Sequence, residues 1–153
     1  MNKQIELIRK TRNFLFELVD ELSIEQLNEV PPGYNNNIIW NLAHIIAAQQ
    51  GLCYLRSGIK LQVDEEFYQA YKPGSKPGKF LDGTEREKIK QLSLTTIDQF
   101  EKDYQDNLFS GYQPWTTRYD LALNNIEDAI SFVIFHDGLH VGYTMALKHL
   151  VKK

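Results

Sequence analysis

The amino-acid sequence predicts an all-α protein, in which four long helices form a bundle with connections of unequal length. Four windows of the chain repeat apolar residues at intervals of three and four, which is typical of helices with one buried face. Capping residues precede these windows, and Pro-Gly pairs or a single proline separate them. The alternating apolar and polar pattern of strands is scarce, so we expect little β-structure.

The first helix is predicted from about Gln4 to Leu22, because apolar residues recur there with charged residues between them. Ser23 and Gln26 have the spacing of a capping box, which indicates a short helical turn over SIEQL. The Pro-Pro-Gly sequence at 31–33 then ends that turn.

The second helix is predicted to begin in the asparagine cluster at 35–37, since asparagine caps helix N-termini well, and to run to Gly58. Between Gly58 and Gly83 the helical periodicity fails, and two Pro-Gly pairs mark a long connection. A connection of this length can return along the bundle. We therefore predict that helices two and three run parallel, which gives an up-down-down-up bundle.

The third helix is predicted to follow a capping box formed by Thr84 and Glu87. Residues 110–124 are rich in aromatic side chains and contain a proline, so they are expected to form an irregular connection. Asn125 is a suitable N-cap for a fourth helix over residues 126–150.

The composition predicts one folded domain over residues 1–153, with 42% hydrophobic and 24% charged residues. The net charge of -3 and the lack of a Lys/Arg cluster argue against a nucleic-acid-binding protein. No segment has the pattern of a signal peptide or the length of a membrane span, so a cytoplasmic protein is expected. The lone Cys53 agrees with a reducing compartment.

The segment FHDGLHVGY places His136 and His140 four residues apart within an apolar window. On a helix these two side chains lie about 40° apart and one turn along the axis, so both are expected to be buried on the interior face. Buried imidazoles need partners. The pair alone is compatible with neutral rings bonded to carbonyl or hydroxyl groups and equally with metal ligation.

His44 favours metal ligation over simple hydrogen bonding, because it is a third histidine on a second apolar helix. It shares a stripe with Trp40, Ala48 and Leu55. Metal sites in helical bundles are commonly built from inward side chains on facing helices, and three histidines with open positions can hold Zn²⁺ or a similar ion. The histidines 44, 136 and 140 are therefore the candidate ligands.

Other polar or small residues near these positions are given different roles. His149 lies about 180° from His140 and is expected on the surface, while Cys53 is expected to be a small buried hydrophobe. Asp137 is rotated about 100° from the histidine stripe, which predicts an interface or solvent-side residue and not a ligand. Gly138 and Gly142 are expected to permit close helix approach.

The sequences NNNIIWNLAHI and HDGLHVGYTMAL, with the order of helices and connections between them, resemble the DinB/YfiT-like superfamily of predicted metal-dependent enzymes. The resemblance covers nearly the whole chain and implies a four-helix bundle of up-down-down-up order. It also implies one histidine of helix two and two of helix four around a divalent metal. On this chain those ligands are His44, His136 and His140, and Zn²⁺ or Ni²⁺ is the expected ion.

The resemblance implies an enzyme acting on a small-molecule substrate, either a thiol S-transferase that uses a low-molecular-weight thiol or a related hydrolase. The alternative is a non-catalytic metal-binding or interaction module of the same fold. A homodimer is expected from the resemblance alone. The aromatic segment GYQPWTTRY and the loop around Phe67 either line a pocket or cover the core, and Arg118 either binds a carboxylate or is solvated.

Overall fold

Helices dominate the computed structural model, which describes residues 2–152 apart from the side chain of Asn2. The helices and strands, in chain order, are α1 (Asn2–Val19), α2 (Ile24–Asn28), α3 (Ile38–Gln49), α4 (Glu65–Tyr71), α5 (Gly83–Gln105), β1 (Trp115–Thr116), β2 (Ala122–Leu123) and α6 (Ile126–Val151). A π-helical turn and a 3-10 turn extend α3 to Ser57, and a second 3-10 turn covers Leu108–Gly111. Within residues 2–152, no helix combines the length and apolar character that a membrane span requires.

The four long helices contact one another in a closed arrangement, in which α1 and α3 each pack against both α5 and α6. Polar side chains join α1 to α6 along their lengths: Gln4 donates to Ser131, and Lys148 donates to the backbone carbonyl of Leu18. The buried core lies between these helices, and almost every residue of α3 faces it. Because α3 is enclosed, polar side chains on it must find partners inside the protein.

The helix caps confirm three of the four predicted starts. Asn37 Oδ1 accepts from Trp40 N at the start of α3, and Asn125 caps α6 in the same way. The capping box of Ser23 and Gln26 is also present. The predicted cap of the third helix is wrong, because α5 begins two residues earlier than a Thr84 cap would allow.

The capping box of α5 is formed by Asp82 and Glu85 instead of Thr84 and Glu87. Asp82 Oδ1 accepts from Glu85 N at 2.9 Å, while Glu85 Oε2 accepts from Asp82 N at 3.0 Å. Aspartate is the stronger N-cap residue, and its charge is also stabilised by the positive end of the helix dipole.

The two predicted connections contain structure that their composition did not reveal. The long connection includes the short helix α4, capped by Asp64 and anchored by the buried Phe67. The aromatic segment contains the antiparallel hairpin of β1 and β2, in which Trp115 pairs with Leu123. Each element is too short for its periodicity to be recognised in the sequence.

The end of α3 changes its helical period, and this alters which side chains face inward. The predicted end at Gly58 is confirmed, with a left-handed φ of 69°. Leu55, expected on the stripe of His44, is instead 47% exposed. The π-helical turn before it takes more residues per turn and so shifts the register. A Cβ on Gly51, within that turn, would lie only 2.9 Å from Tyr68 Oη, so glycine gives α4 room to pack.

The structure decides two predictions about α6, and the one about its glycines is wrong. Gly138 and Gly142 are exposed, and no atom lies within 4 Å of the Cβ that either position lacks, so neither glycine mediates a close helix approach. Asp137 was expected at an interface or on the solvent side, and it lies at the interface, with its side chain fully buried against Arg12 of α1. Helix α1 therefore packs on the face of α6 that carries Asp137, and it does not pack on the face that carries the two glycines.

Candidate metal centre

Three imidazole rings meet where α3 faces α6. The ring centroids of His44 and His136 are 5.2 Å apart, those of His44 and His140 are 4.7 Å apart, and those of His136 and His140 are 4.5 Å apart. Each ring has one nitrogen atom placed so that these three nitrogens all lie within 4.8 Å of one another. The structure thus brings together the three histidines that the sequence singled out, and no fourth His, Cys, Asp or Glu among the described residues joins their cluster.

The three rings differ in their access to solvent. His44 is 5% exposed, whereas His136 and His140 are half-buried. The two α6 histidines were expected to be buried on the interior face; they do face His44, but their burial is only partial, because this stretch of α6 lies at the edge of the helical arrangement, beside exposed Leu139. The cluster has one enclosed side on α3 and one side on α6 that solvent or a small molecule can reach.

Hydrogen bonds orient two of the rings. His44 Nδ1 lies 2.7 Å from the backbone carbonyl oxygen of Tyr71, and His140 Nδ1 lies 2.7 Å from Asn41 Oδ1. Asn41 Nδ2 donates to the carbonyl of Asn37, which fixes the amide so that its oxygen faces the histidine. Since oxygen acceptors of this kind cannot donate, each Nδ1 carries the proton and each Nε2 keeps its lone pair free.

A tryptophan closes the enclosed side. The ring of Trp40 stacks on His44 with a centroid separation of 4.5 Å and an interplanar angle of 11°. Trp40 precedes His44 by four residues, so both rings lie on one face of α3. The stacked indole fixes the plane of the His44 ring and keeps water from that face.

A buried ion pair lies directly behind the α6 histidines. Arg12 Nε donates to Asp137 Oδ2 at 2.9 Å, and both side chains are fully buried. Arg12 also donates to Gln49 Oε1 at 2.9 Å and to the carbonyl of Ile45 at 3.1 Å, which ties α1 and α6 to α3. The second oxygen of Asp137 lies 3.8 Å from His136 Nδ1.

The local environment keeps two of the histidines neutral. Burial lowers the pKa of His44 to about 4, and the hydrogen bond to the Tyr71 carbonyl only partly offsets it. Burial lowers the pKa of His140 to about 3, with further lowering by His136, His44 and the charge of Arg118. Burial is the largest single influence on the pKa of Asp137 and raises it, but Arg12 and His136 together outweigh burial, so the net pKa lies below its ordinary value. Neutral imidazole is the form that binds metal ions.

We expect the metal-free protein to lose stability as the pH falls below 6.5. In the unfolded chain His44 and His140 take up protons near that ordinary pKa, whereas in the folded chain they stay neutral until about pH 4 and pH 3. The unfolded state then binds more protons, and each histidine lowers the free energy of unfolding by at most about 1.4 kcal/mol per pH unit. Urea unfolding in chelator between pH 7 and pH 5 measures this slope.

A double variant, His44→Gln with His140→Gln, provides the comparison for this slope. Most carboxylates remain ionised between pH 7 and pH 5, so the slope of the double variant should be clearly shallower. His149→Gln, which replaces an exposed histidine, should keep the slope of the unsubstituted protein. Equal slopes in all three proteins would contradict the prediction.

Replacing Asn41 with leucine should weaken metal binding without removing a ligand. Asn41 is buried, and its Oδ1 holds the His140 Nδ1–H, so the substitution frees the ring to rotate and to change tautomer. Loss of such an outer partner typically costs about 10- to 100-fold in metal affinity. Competition with a chromophoric zinc chelator measures the zinc affinity of the variant. An affinity within twofold of that of the unsubstituted protein would refute the role of Asn41 in orienting His140.

Sequence reasoning missed the groups that orient the rings. Asn41 had a signal, since it is a lone amide in the apolar segment IIWNLAHII and a buried amide there requires a partner. The Tyr71 carbonyl left no signal in the sequence, because any residue supplies a backbone oxygen. The expectations for His149, which is exposed, and for Cys53, which is buried and has its pKa raised by burial, agree with the structure.

The donor set fits a divalent metal ion. Two Nε2 lone pairs are set free by bonds at Nδ1, and imidazole nitrogen is a favoured ligand of Zn²⁺ and Ni²⁺. Fold and site together define a helical protein with a three-histidine centre that can hold a metal ion. The chain belongs to the DinB superfamily, whose family model matches residues 7–144. A comparison with curated proteins gave no match to the chain.

Proposed function

We propose that the protein is a divalent-metal-dependent enzyme with His44, His136 and His140 as its metal ligands. The observation that carries the proposal is the convergence of three rings, two of which have Nδ1 engaged and Nε2 free. A cluster with only a packing role would not require these nitrogens to converge. Partial exposure of the α6 histidines favours catalysis over a closed structural site, which would keep no position for a substrate.

The proposed reaction is either thiol S-transfer or hydrolysis of a small molecule. A bound Zn²⁺ or Ni²⁺ would lower the pKa of a thiol or a water molecule at the open side of the centre. The three imidazoles add no negative charge, and the nearest buried carboxylate, Asp137, is already paired with Arg12. This charge balance supports the proposal, since the surroundings leave a cationic site suited to an anionic nucleophile.

The chain's own groups would hold the site in shape. Tyr71 and Asn41 fix two ring orientations, and Trp40 shields His44 from water. Arg12 links α1 to the α3 backbone next to the centre. Each of these groups acts before any substrate arrives, as preorganised sites require.

We also propose the up-down-down-up order for the four long helices. Its support is the sequence of cross-links: Gln4 with Ser131 and Leu18 with Lys148 indicate that α1 and α6 run in the same direction. Arg9 with Glu101, together with the ion pair of Asp20 and Arg86 farther along, indicates that α1 and α5 run in opposite directions. Contacts of Asn41 and His44 with His140 and His136 support an antiparallel pair of α3 and α6.

The direct test is the metal content of protein purified without a histidine tag, followed by an activity screen of the metal-loaded form. About one Zn²⁺ or Ni²⁺ per chain is expected. Low-molecular-weight thiols with electrophilic acceptors test the transferase, and ester and amide substrates test the hydrolase. Protein that binds no divalent ion would overturn the proposal, and stoichiometric metal without turnover in either screen would favour the non-catalytic module.

A further inference from the structure

A cavity of about 370 Å³ lies between the β1–β2 hairpin and the first half of α6. This volume is in the range of small-molecule sites. Its principal lining side chains are Tyr119 and Leu121 from the hairpin, and Asp128, Ser131, Phe132 and Phe135 from α6.

Three aromatic rings form a continuous apolar surface in this cavity. The Tyr119 and Phe135 centroids are 5.5 Å apart, those of Phe132 and Phe135 are 5.8 Å apart, and those of Tyr119 and Phe132 are 6.2 Å apart. Tyr119, Leu121 and Phe135 are each about half exposed, at 47%, 51% and 49%. Clustered exposure of large apolar side chains is costly in water and is typical of a surface that contacts a ligand.

The cavity adjoins the metal centre through Phe132. This residue precedes His136 by one helical turn on the same face, and the two ring centroids are 6.4 Å apart. Phe132 is 7% exposed, so it forms a fixed wall shared by the cavity and the histidine cluster. A molecule that lies against Phe132 is therefore separated from the His136 ring by that one side chain.

A cation lies against Tyr119, one of the side chains that line this cavity. Arg118 Nη2 donates to Tyr119 Oη at 2.8 Å, and its guanidinium carbon lies 5.0 Å from the Tyr119 ring centroid. None of the ion pairs found among residues 2–152 includes Arg118. The acid in the cavity, Asp128, accepts the backbone N–H of Asn124 at 2.8 Å. Arg118 thus keeps donors for an anion.

We propose that this cavity is the substrate site and that it takes a small carboxylate with an aromatic or branched aliphatic body. The body lies against Phe132, Phe135 and Leu121, and Arg118 binds the carboxylate. Apolar area and charge complementarity together select this class over neutral or cationic molecules of the same shape. The inference rests on the proposed metal-dependent function, because it assigns the cavity to the substrate of that centre.

A second cavity of about 240 Å³ offers the competing location. It is lined by Trp40, Tyr71, Lys76 and Leu81, among others, and lies on the α3 side of the histidines. Trp40 also belongs to its wall, and that indole stacks flat on His44. The ring that lines this cavity thus also covers His44, whereas the first cavity is lined by Phe132, whose ring contacts the half-buried His136.

Three probes of one shape test the inference: 3-phenylpropanoate, its neutral amide 3-phenylpropanamide, and the cationic 3-phenylpropylamine. Calorimetry and amide chemical-shift mapping are carried out on the whole chain, both zinc-loaded and metal-free. The carboxylate should bind several-fold more tightly than the amide, and the amine most weakly. Shifts should centre on Leu121, Phe132 and Phe135. Acetate, which lacks the apolar body, should not reproduce them.

Two exposed positions supply variants that leave the fold intact. Arg118→Gln should remove the preference for carboxylate over amide while keeping the affinity for the amide. Leu121→Ser should weaken both probes about 3- to 10-fold, because it removes apolar contact area. Leu150→Ser is the matched control, an exposed leucine near the end of α6, and should change neither affinity.

Each outcome decides for or against the inference. Shifts centred on Trp40 and Lys76, no detectable binding, or affinities unchanged by Leu121→Ser would overturn it. Binding that persists in metal-free protein and depends on Leu121 and Arg118 supports the cavity even if the zinc proposal fails. Conversely, full zinc binding without probe binding would reject this substrate class and leave the metal proposal intact.

Discussion

Replacing His44, His136 or His140 with alanine, one at a time, is expected to lower zinc affinity by more than about 100-fold. Loss of an outer hydrogen-bond partner costs about 10- to 100-fold, and loss of a direct ligand should exceed that. His44 should show the largest effect, because its ring is held between Trp40 and the Tyr71 carbonyl and is nearly inaccessible to a replacement water. Zinc occupancy at sub-saturating metal, measured after dialysis, gives the result.

His149→Ala is the matched control for these substitutions. It removes an imidazole from the same helix as His136 and His140, but from an exposed position outside the cluster. Its zinc occupancy should equal that of the unsubstituted protein. If the three site variants retain equal occupancy as well, the histidines are only buried polar residues with satisfied hydrogen bonds, and the metal proposal is wrong.

Arg12→Met is expected to lower the free energy of unfolding by about 3–5 kcal/mol. The substitution leaves the Asp137 carboxylate buried without its cation, and it also removes the bonds to Gln49 and to the Ile45 carbonyl. A loss of this size is a large part of the stability of an ordinary domain. Urea unfolding of the metal-free protein measures it without a contribution from bound ion.

Two further variants separate the buried charge from ordinary loss of packing. Arg12→Met combined with Asp137→Leu removes both charges and should recover much of the lost stability, since well-packed apolar pairs often replace buried ion pairs without penalty. Lys10→Met breaks an exposed pair with Glu6 on the same helix and should have little effect. A cost of Arg12→Met no larger than that of Lys10→Met would contradict the assignment.

The sequence predicted the long helices and the three histidines because both leave a periodic signal. His136 and His140 are one turn apart, and His44 lies on an apolar stripe, so helix geometry alone indicated that each faces a neighbouring helix. The starts of α3 and α6 were predictable from Asn37 and Asn125, because capping depends on a few adjacent residues.

The features that the sequence did not predict depend on contacts between distant parts of the chain or on elements too short to show a period. The sequence left open whether Asp137 lies at an interface or on the solvent side, because its angle on α6 says nothing about what covers it and its partner Arg12 is 125 residues away. Helix α4 and the β1–β2 hairpin are too short to show a period. Leu55 was misplaced because a π-helical turn leaves no simple mark in the sequence.

The Tyr71 carbonyl gives the long connection before α5 a thermodynamic role. Tyr71 is the last residue of α4, and its oxygen holds the His44 Nδ1–H that leaves Nε2 available. Any local opening that unwinds α4 removes this acceptor, so the closed and open forms of the connection must differ in ion affinity. By linkage, an ion bound through His44 would favour the closed form by the same free energy. Substitutions in a surface segment that contributes no ligand side chain would then tune the affinity of the centre.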